Sequence, residues 1–139
     1  MKKLSIIYAL FVILVLAGCR SGAPIENIST TIPSTISNDM TIKKMERIIT
    51  HSALSRGWTV SQKSPGVLDA RLKSRGHEVD IVITYNKSSY TITYKNSTNM
   101  HYNHEENSIH PKYNHWVSNL SRDIEKRIMR QTVSNGRNY

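Results

Sequence analysis

One cysteine, ten acidic residues and no apolar run long enough to cross a bilayer define this chain of 139 residues by what it lacks. A lone cysteine excludes an intrachain disulfide, so a folded domain must be held by its own core. The most apolar stretch, Leu4 to Leu16, is about 13 residues, short of the roughly 20 that a hydrocarbon core requires. There is no Gly-rich loop to cradle a nucleotide phosphate. There is no strained strand-to-helix serine turn, so the common hydrolase nucleophile is missing as well. The acids are outnumbered by 19 lysines and arginines, giving a formal charge of +9. Such an excess favours anionic neighbours: phospholipid headgroups, lipopolysaccharide phosphates, acidic wall polymers or nucleic acid.

What is present begins with a basic start, Met1-Lys2-Lys3, followed by the short apolar run and then Leu16-Ala17-Gly18-Cys19. The run fits the apolar region of a secretory signal. The four residues that follow resemble the lipobox of bacterial lipoproteins. The resemblance implies a signal peptide at residues 1–18, removed to leave Cys19 as the diacylglycerol-bearing N-terminus. Two or three acyl chains at about 0.8 kcal/mol per buried CH₂ make a stable anchor. In lipoproteins the common inner-membrane retention signal is Asp after the lipidated cysteine. Arg20 therefore resembles an outer-membrane address, and the expectation is a protein lipid-anchored in the cell outer membrane with a periplasm-facing domain, a leaflet choice that Arg20 does not fix. An exported protein has no nucleic acid to meet, and residues 19–139, the chain without Lys2 and Lys3, keep a net charge of +7. The stretch 20–37 is rich in Ser, Thr and Pro without a sustained period. With Cys19 it reads as a flexible tether of roughly 20–25 Å reach.

Residues 38–132 read as one α+β domain. Helical spacing links Ile42, Met45, Ile48, Ile49 and Ala53, with cap candidates at Ser37, Asn38 and Asp39 and a stop at Gly57. Alternation then takes over. Trp58 and Val60 lead to the turn Ser64-Pro65-Gly66, and Leu68, Ala70 and Leu72, then Val79, Ile81, Ile83 and Tyr85, then Tyr90, Ile92 and Tyr94 mark successive strands. A turn at Arg75-Gly76 sets Leu72 against Val79, Ala70 against Ile81 and Leu68 against Ile83. It also sets Lys73 against Glu78 and Arg71 against Asp80, so apolar pairs and opposite charges fall together. A second turn at Lys87-Ser88 pairs Tyr85 with Tyr90, Ile83 with Ile92 and Ile81 with Tyr94, and brings Lys95 to Asp80. The alternation runs on through Thr98, Met100 and Tyr102, so the fourth strand either runs long or bends near Asn96-Ser97. Beyond Pro111, helical spacing returns in Tyr113, Trp116, Val117, Leu120, Ile124 and Ile128. The expectation is an antiparallel four-stranded meander with an N-terminal and a C-terminal helix packed on one face, its other face polar, and a basic tail at 133–139.

The segments Arg56-Gly57-Trp58, Arg75-Gly76-His77, Tyr90-Thr91-Ile92-Thr93-Tyr94 and Ile109-His110-Pro111-Lys112-Tyr113-Asn114-His115-Trp116-Val117 resemble a group of small bacterial lipoproteins. The group has no assigned activity, so the resemblance implies a single-domain lipoprotein and no catalytic residue.

Two sets of side chains carry candidate binding chemistry. Arg122, Lys126, Arg127 and Arg130 on the last helix, with Arg137 in the tail, offer a basic surface for anionic headgroups or wall polymer. His101, His104, His110 and His115 gather with Glu105 and Glu106, types that suit zinc or copper. Their spacing matches no fixed metal motif, and His110 is also placed to cap the last helix. Asp69, Glu78 and Asp80 could form a glycosidase-type carboxylate pair, yet each faces a basic partner across the sheet. Tyr85, Tyr90, Tyr94, Tyr113 and Trp116 fall on inner faces, where core packing is their default role. The expected function is a non-catalytic envelope binding or accessory module whose partner is an envelope protein, lipopolysaccharide or cell-wall polymer. The alternative is a periplasmic metal-binding protein, with no other cofactor than the covalent lipid on Cys19.

Overall fold

Three turns built on left-handed backbone organise the sheet. Gly66 (φ +79°) follows Pro65, the pairing that a type II turn prefers, and joins Ser64 to Val67. Arg75 (φ +49°) and Gly76 (φ +82°) both lie at positive φ, as a two-residue hairpin with the twist of its strands requires. The third, at Gly57 (φ +82°), ends the first long helix.

The computed structural model describes residues 22–135, with side chains through residue 131. The expected signal peptide (1–18), Cys19, Arg20 and Arg137 lie outside the described residues. In chain order the elements are β1 (Ala23–Pro24), β2 (Ile28–Thr31), α1 (Ser34–Ser37), α2 (Ile42–Ser55), β3 (Thr59–Ser64), β4 (Val67–Ser74), β5 (His77–Tyr85), β6 (Ser89–Thr98), β7 (Ser108–Ile109) and α3 (Lys112–Asn135). The main sheet is antiparallel with strand order β2-β6-β5-β4-β3, and β1 pairs separately with β7.

The α+β class and the meander β3-β4-β5-β6 agree with the sequence pattern. All the expected partners across Arg75-Gly76 are paired, and so are the three across the β5–β6 turn. Four details differ. The sheet has five strands, because Ile28–Thr31 in the expected tether pairs with Ser89–Ile92 at the edge of β6. A bulge at Lys95 sets Asp80 opposite Asn96 and Ile81 opposite Tyr94. The extra residue releases Lys95 from Asp80 and turns Thr98 out to solvent, while Met100 is buried as expected and Tyr102 is exposed. The cap of α2 is Thr41, whose Oγ1 accepts from the Lys44 amide at 3.1 Å, and Ile42 behind it is 53% exposed. Finally, α3 continues to Asn135, into the expected tail.

Both long helices cover the same sheet face. Met45, Ile49 and Ala53 of α2, Tyr113, Val117, Leu120 and Ile124 of α3, and Val79, Ile81, Ile83 and Ile92 of the sheet form one buried core. Each fully buried aliphatic side chain contributes roughly 1.5–3 kcal/mol relative to exposure. The other face is polar and charged as expected. Arg71 makes two bonds to Asp80, Nε to Oδ1 at 2.6 Å and Nη2 to Oδ2 at 2.9 Å. Lys73 pairs with Glu78 and Lys95 with Asp69.

The N-terminal segment is tied to α3 and to the loop before β7. Asn114 of α3 donates to the Pro24 carbonyl at 2.8 Å and accepts from the Glu26 amide at 3.1 Å. The Ile25 amide donates to the Asn107 carbonyl at 3.0 Å.

Candidate anion-binding cleft between the two helices

Residues four apart share a helix face. On α2 that rule aligns Arg47 with His51, and on α3 it aligns Arg127 with Gln131, with Arg130 between. Packing of the two helices sets these faces against each other, and together with Ile48 they line a cleft of about 160 Å³. None of these lining residues is acidic. Among the described residues, no carboxylate forms an ion pair with Arg47, Arg127 or Arg130. Three guanidinium groups, which stay charged at any physiological pH, therefore converge with no directly ion-paired carboxylate among the described residues.

Side-chain bonds at the end of α2 also join the two helices. Arg56, just past α2, reaches Asp123 of α3 through Nε at 2.6 Å. The Arg56 hydrogen bond, reinforced by the charges of Arg56, Lys126 and Arg127, holds the Asp123 carboxyl below its ordinary range against the opposing effect of burial. Arg127 donates to Ser55 Oγ at 3.0 Å, so one of the three guanidinium groups is oriented before any ligand arrives. A preoriented planar donor set fits phosphate or carboxylate oxygens, which accept such groups in pairs.

The structure divides the basic residues expected on α3. Arg127 and Arg130 line the cleft. Arg122 and Lys126 are exposed, and Arg122 donates to Asn119 Oδ1 at 3.4 Å. Sequence reasoning missed Arg47 and His51. Their spacing of four on a helix was legible, but nothing in the sequence shows that this face of α2 meets α3, four strands later.

The histidines also separate. His110 and His101 come together with His77, which the sequence reading left out: the ring centroids are 5.5 Å apart for His77–His110 and 6.4 Å for His101–His110. His104 turns to the Tyr102 hydroxyl at 3.1 Å, and His115 is exposed on α3. The ring of His110 accepts at Nδ1 from the Lys112 amide at 3.1 Å, and its carbonyl accepts from the Tyr113 amide at 3.0 Å. It is thus a cap for α3. Burial first, then the positive charges of His77, Lys112 and His101, push its pKa below the usual histidine range. Among the described residues no three His, Cys, Asp or Glu side chains are arranged to hold a metal ion.

Tyr85, Tyr90 and Tyr113 are built into the core, and Tyr94 packs against it. Tyr90 Oη bonds Ser121 Oγ at 2.7 Å, and Tyr85 donates to Glu46 at 2.7 Å. Burial, then the Glu46 hydrogen bond and charge, raise Tyr85 to about 12. Among the described residues no helix is long and apolar enough to cross a membrane.

Compared with known proteins, the chain matches no family model and no curated protein.

Proposed function

We propose that this protein is an outer-membrane lipoprotein, anchored through lipid on Cys19, whose periplasm-facing domain is a non-catalytic binding module for an anionic envelope component. The lipobox-like residues Leu16-Ala17-Gly18-Cys19 and the basic start support the anchor, and Arg20 supports the outer-membrane address. The observation that carries the binding role is the cleft in which Arg47, Arg127 and Arg130 converge without an acidic lining residue. Phosphates of lipopolysaccharide and the acidic groups of wall polymer supply the matching oxygens. An accessory role beside an envelope protein is compatible with the same surface, since an acidic side chain presents the same carboxylate geometry.

The test is an amide NMR titration of the mature chain carrying Cys19→Ser, with lipopolysaccharide or wall fragments as titrant. The expected result is a saturable set of shifts centred on Arg47, His51, Arg127 and Arg130. Shifts confined to His77, His101 and His110, or no saturable shift with either titrant, would remove the proposal.

A further inference from the structure

We infer that the end of the domain built from β1, β7 and the loop 101–107 rests on the headgroup layer of the bilayer that carries the lipid anchor. This rests on the reading of Cys19 as lipidated. The argument turns on how little chain is left between that residue and the fold. A Cβ added to Gly22 would lie 3.1 Å from Ser108 Oγ, so the backbone is already against β7 at that residue. Ala23 pairs with Ile109 and Pro24 with Ser108, and Asn114 clamps the chain on both sides of Ile25. From Cys19 to Gly22 there are only three Cα–Cα steps, which span at most about 11 Å when fully extended. A tether folded onto the domain cannot hold that domain clear of the surface.

The chemistry of this end suits such a contact. Every residue from His101 to Asn107 is exposed, including Tyr102 at 40%. Tyrosine, apolar along its ring and polar at its tip, is at home at the level of lipid headgroups. The loop is shaped before contact: the Asn103 and Ser108 backbones exchange bonds of 2.8 and 3.1 Å, and Asn103 Oδ1 accepts from the Glu106 amide at 3.1 Å. Its formal charges are the carboxylates of Glu105 and Glu106, with His101 and His104 beside them. A zwitterionic headgroup layer, whose ammonium groups can pair with these carboxylates, suits the loop better than an anionic one, which would repel them.

The same geometry places the cleft. The first turn of α3 is at the anchored end, where Asn114 grips Pro24. Arg127 and Arg130 lie 15 and 18 residues beyond Lys112, about 22 and 27 Å along the helix. The basic cleft is thereby separated from the anchoring point and left open to a ligand that is not the anchoring lipid.

The native thiol is consumed by the lipid, so an introduced cysteine is the sole labelling site. The mature, lipid-modified protein would be labelled with a fluorophore at His104→Cys or at Lys126→Cys. It would then be reconstituted into phosphatidylethanolamine–phosphatidylcholine vesicles doped with headgroup nitroxide lipid. Loss of emission at 104 with retention at 126 is the expected result, and Glu105→Cys should repeat the loss at 104 if that variant folds poorly. Inserting a flexible Gly-Ser segment of about 12 residues between Ser21 and Gly22 should restore emission at 104. Equal quenching at the two positions, or stronger quenching at 126, overturns the inference. Intact mass separates the two readings: lipid on Cys19 with a bright label at 104 overturns the docking alone. An unmodified Cys19 overturns the lipoprotein reading and the docking with it.

Discussion

Arg130→Ala and Arg122→Ala remove the same charge from the same helix, and only the first removes it from the cleft. The two positions are eight residues apart, about 12 Å along α3. At that separation an aqueous Coulomb interaction is about 0.3 kcal/mol before screening, and a Debye length of about 8 Å reduces it to roughly 0.1 kcal/mol. Loss of Arg122 should therefore weaken an anion in the cleft by less than about 1.3-fold. A guanidinium in direct contact with a phosphate oxygen contributes more, because a charged hydrogen bond is added to the Coulomb attraction. A net value near 1.4 kcal/mol, or about tenfold in affinity, is the expectation for a partly exposed pair. Arg47→Ala should behave like Arg130→Ala, although it changes the other helix. Both side chains are exposed and neither is ion-paired to a described carboxylate, so stability should move by no more than about 0.5 kcal/mol. The assay is isothermal titration of the mature Cys19→Ser chain with a soluble phosphorylated lipopolysaccharide fragment at physiological ionic strength. Equal losses for Arg122→Ala and Arg130→Ala would refute the reasoning, because binding would then follow net charge and not the cleft.

Three further outcomes follow from single contacts. His110→Ala loses the bond to the Lys112 amide and should cost about 1 kcal/mol, whereas His110→Asn retains an acceptor and should cost less. Because folding lowers the His110 pKa, the unfolded chain takes up its proton first. Its contribution is full above the unfolded value near 6.5 and is lost as pH falls through the lower folded value. Urea denaturation at pH 7.5 and 5 should show this loss reduced in His110→Asn, and an unchanged pH dependence would show that other groups carry it. Gly66→Ala places a methyl 3.1 Å from the Tyr85 carbonyl oxygen at φ +79° and should destabilise by about 1–2 kcal/mol, read as a lower denaturation midpoint with unchanged slope. Asn114→Ala removes both clamps on the N-terminal segment, so hydrogen exchange should rise at Ala23 and Glu26 while Ile81 and Ile83 stay protected; uniform exchange would mean global unfolding.

The two central hairpins were legible residue by residue because each carries its own register. Alternation with period two fixes which face is buried, and Arg75-Gly76 fixes where the chain reverses. A slip of one residue would expose Ala70, Leu72, Val79 and Ile81 together. The last helix was legible for a related reason: Tyr113, Val117, Leu120, Ile124 and Ile128 repeat at helical spacing, and all are buried. The signals that failed were short or non-local. Ile28–Thr31 is four residues long, with Ile28 as its only large apolar side chain and no turn joining it to β6. Its place in the sheet comes from the open edge of β6, to which its backbone bonds. The bulge at Lys95 leaves no mark on composition, since one extra residue changes pairing and not polarity.

By itself the sequence determined the leader-like start, the placement of the one cysteine, the excess of positive charge and the registers of adjacent strands. Each is a property of residues close together along the chain. Only the tertiary structure decided that Arg47 and His51 face Arg127 and Arg130, that His77 joins His101 and His110, and that the expected tether folds back onto β7. Those meetings depend on which faces two distant elements bury against one core, and that is set by the packing of the whole domain.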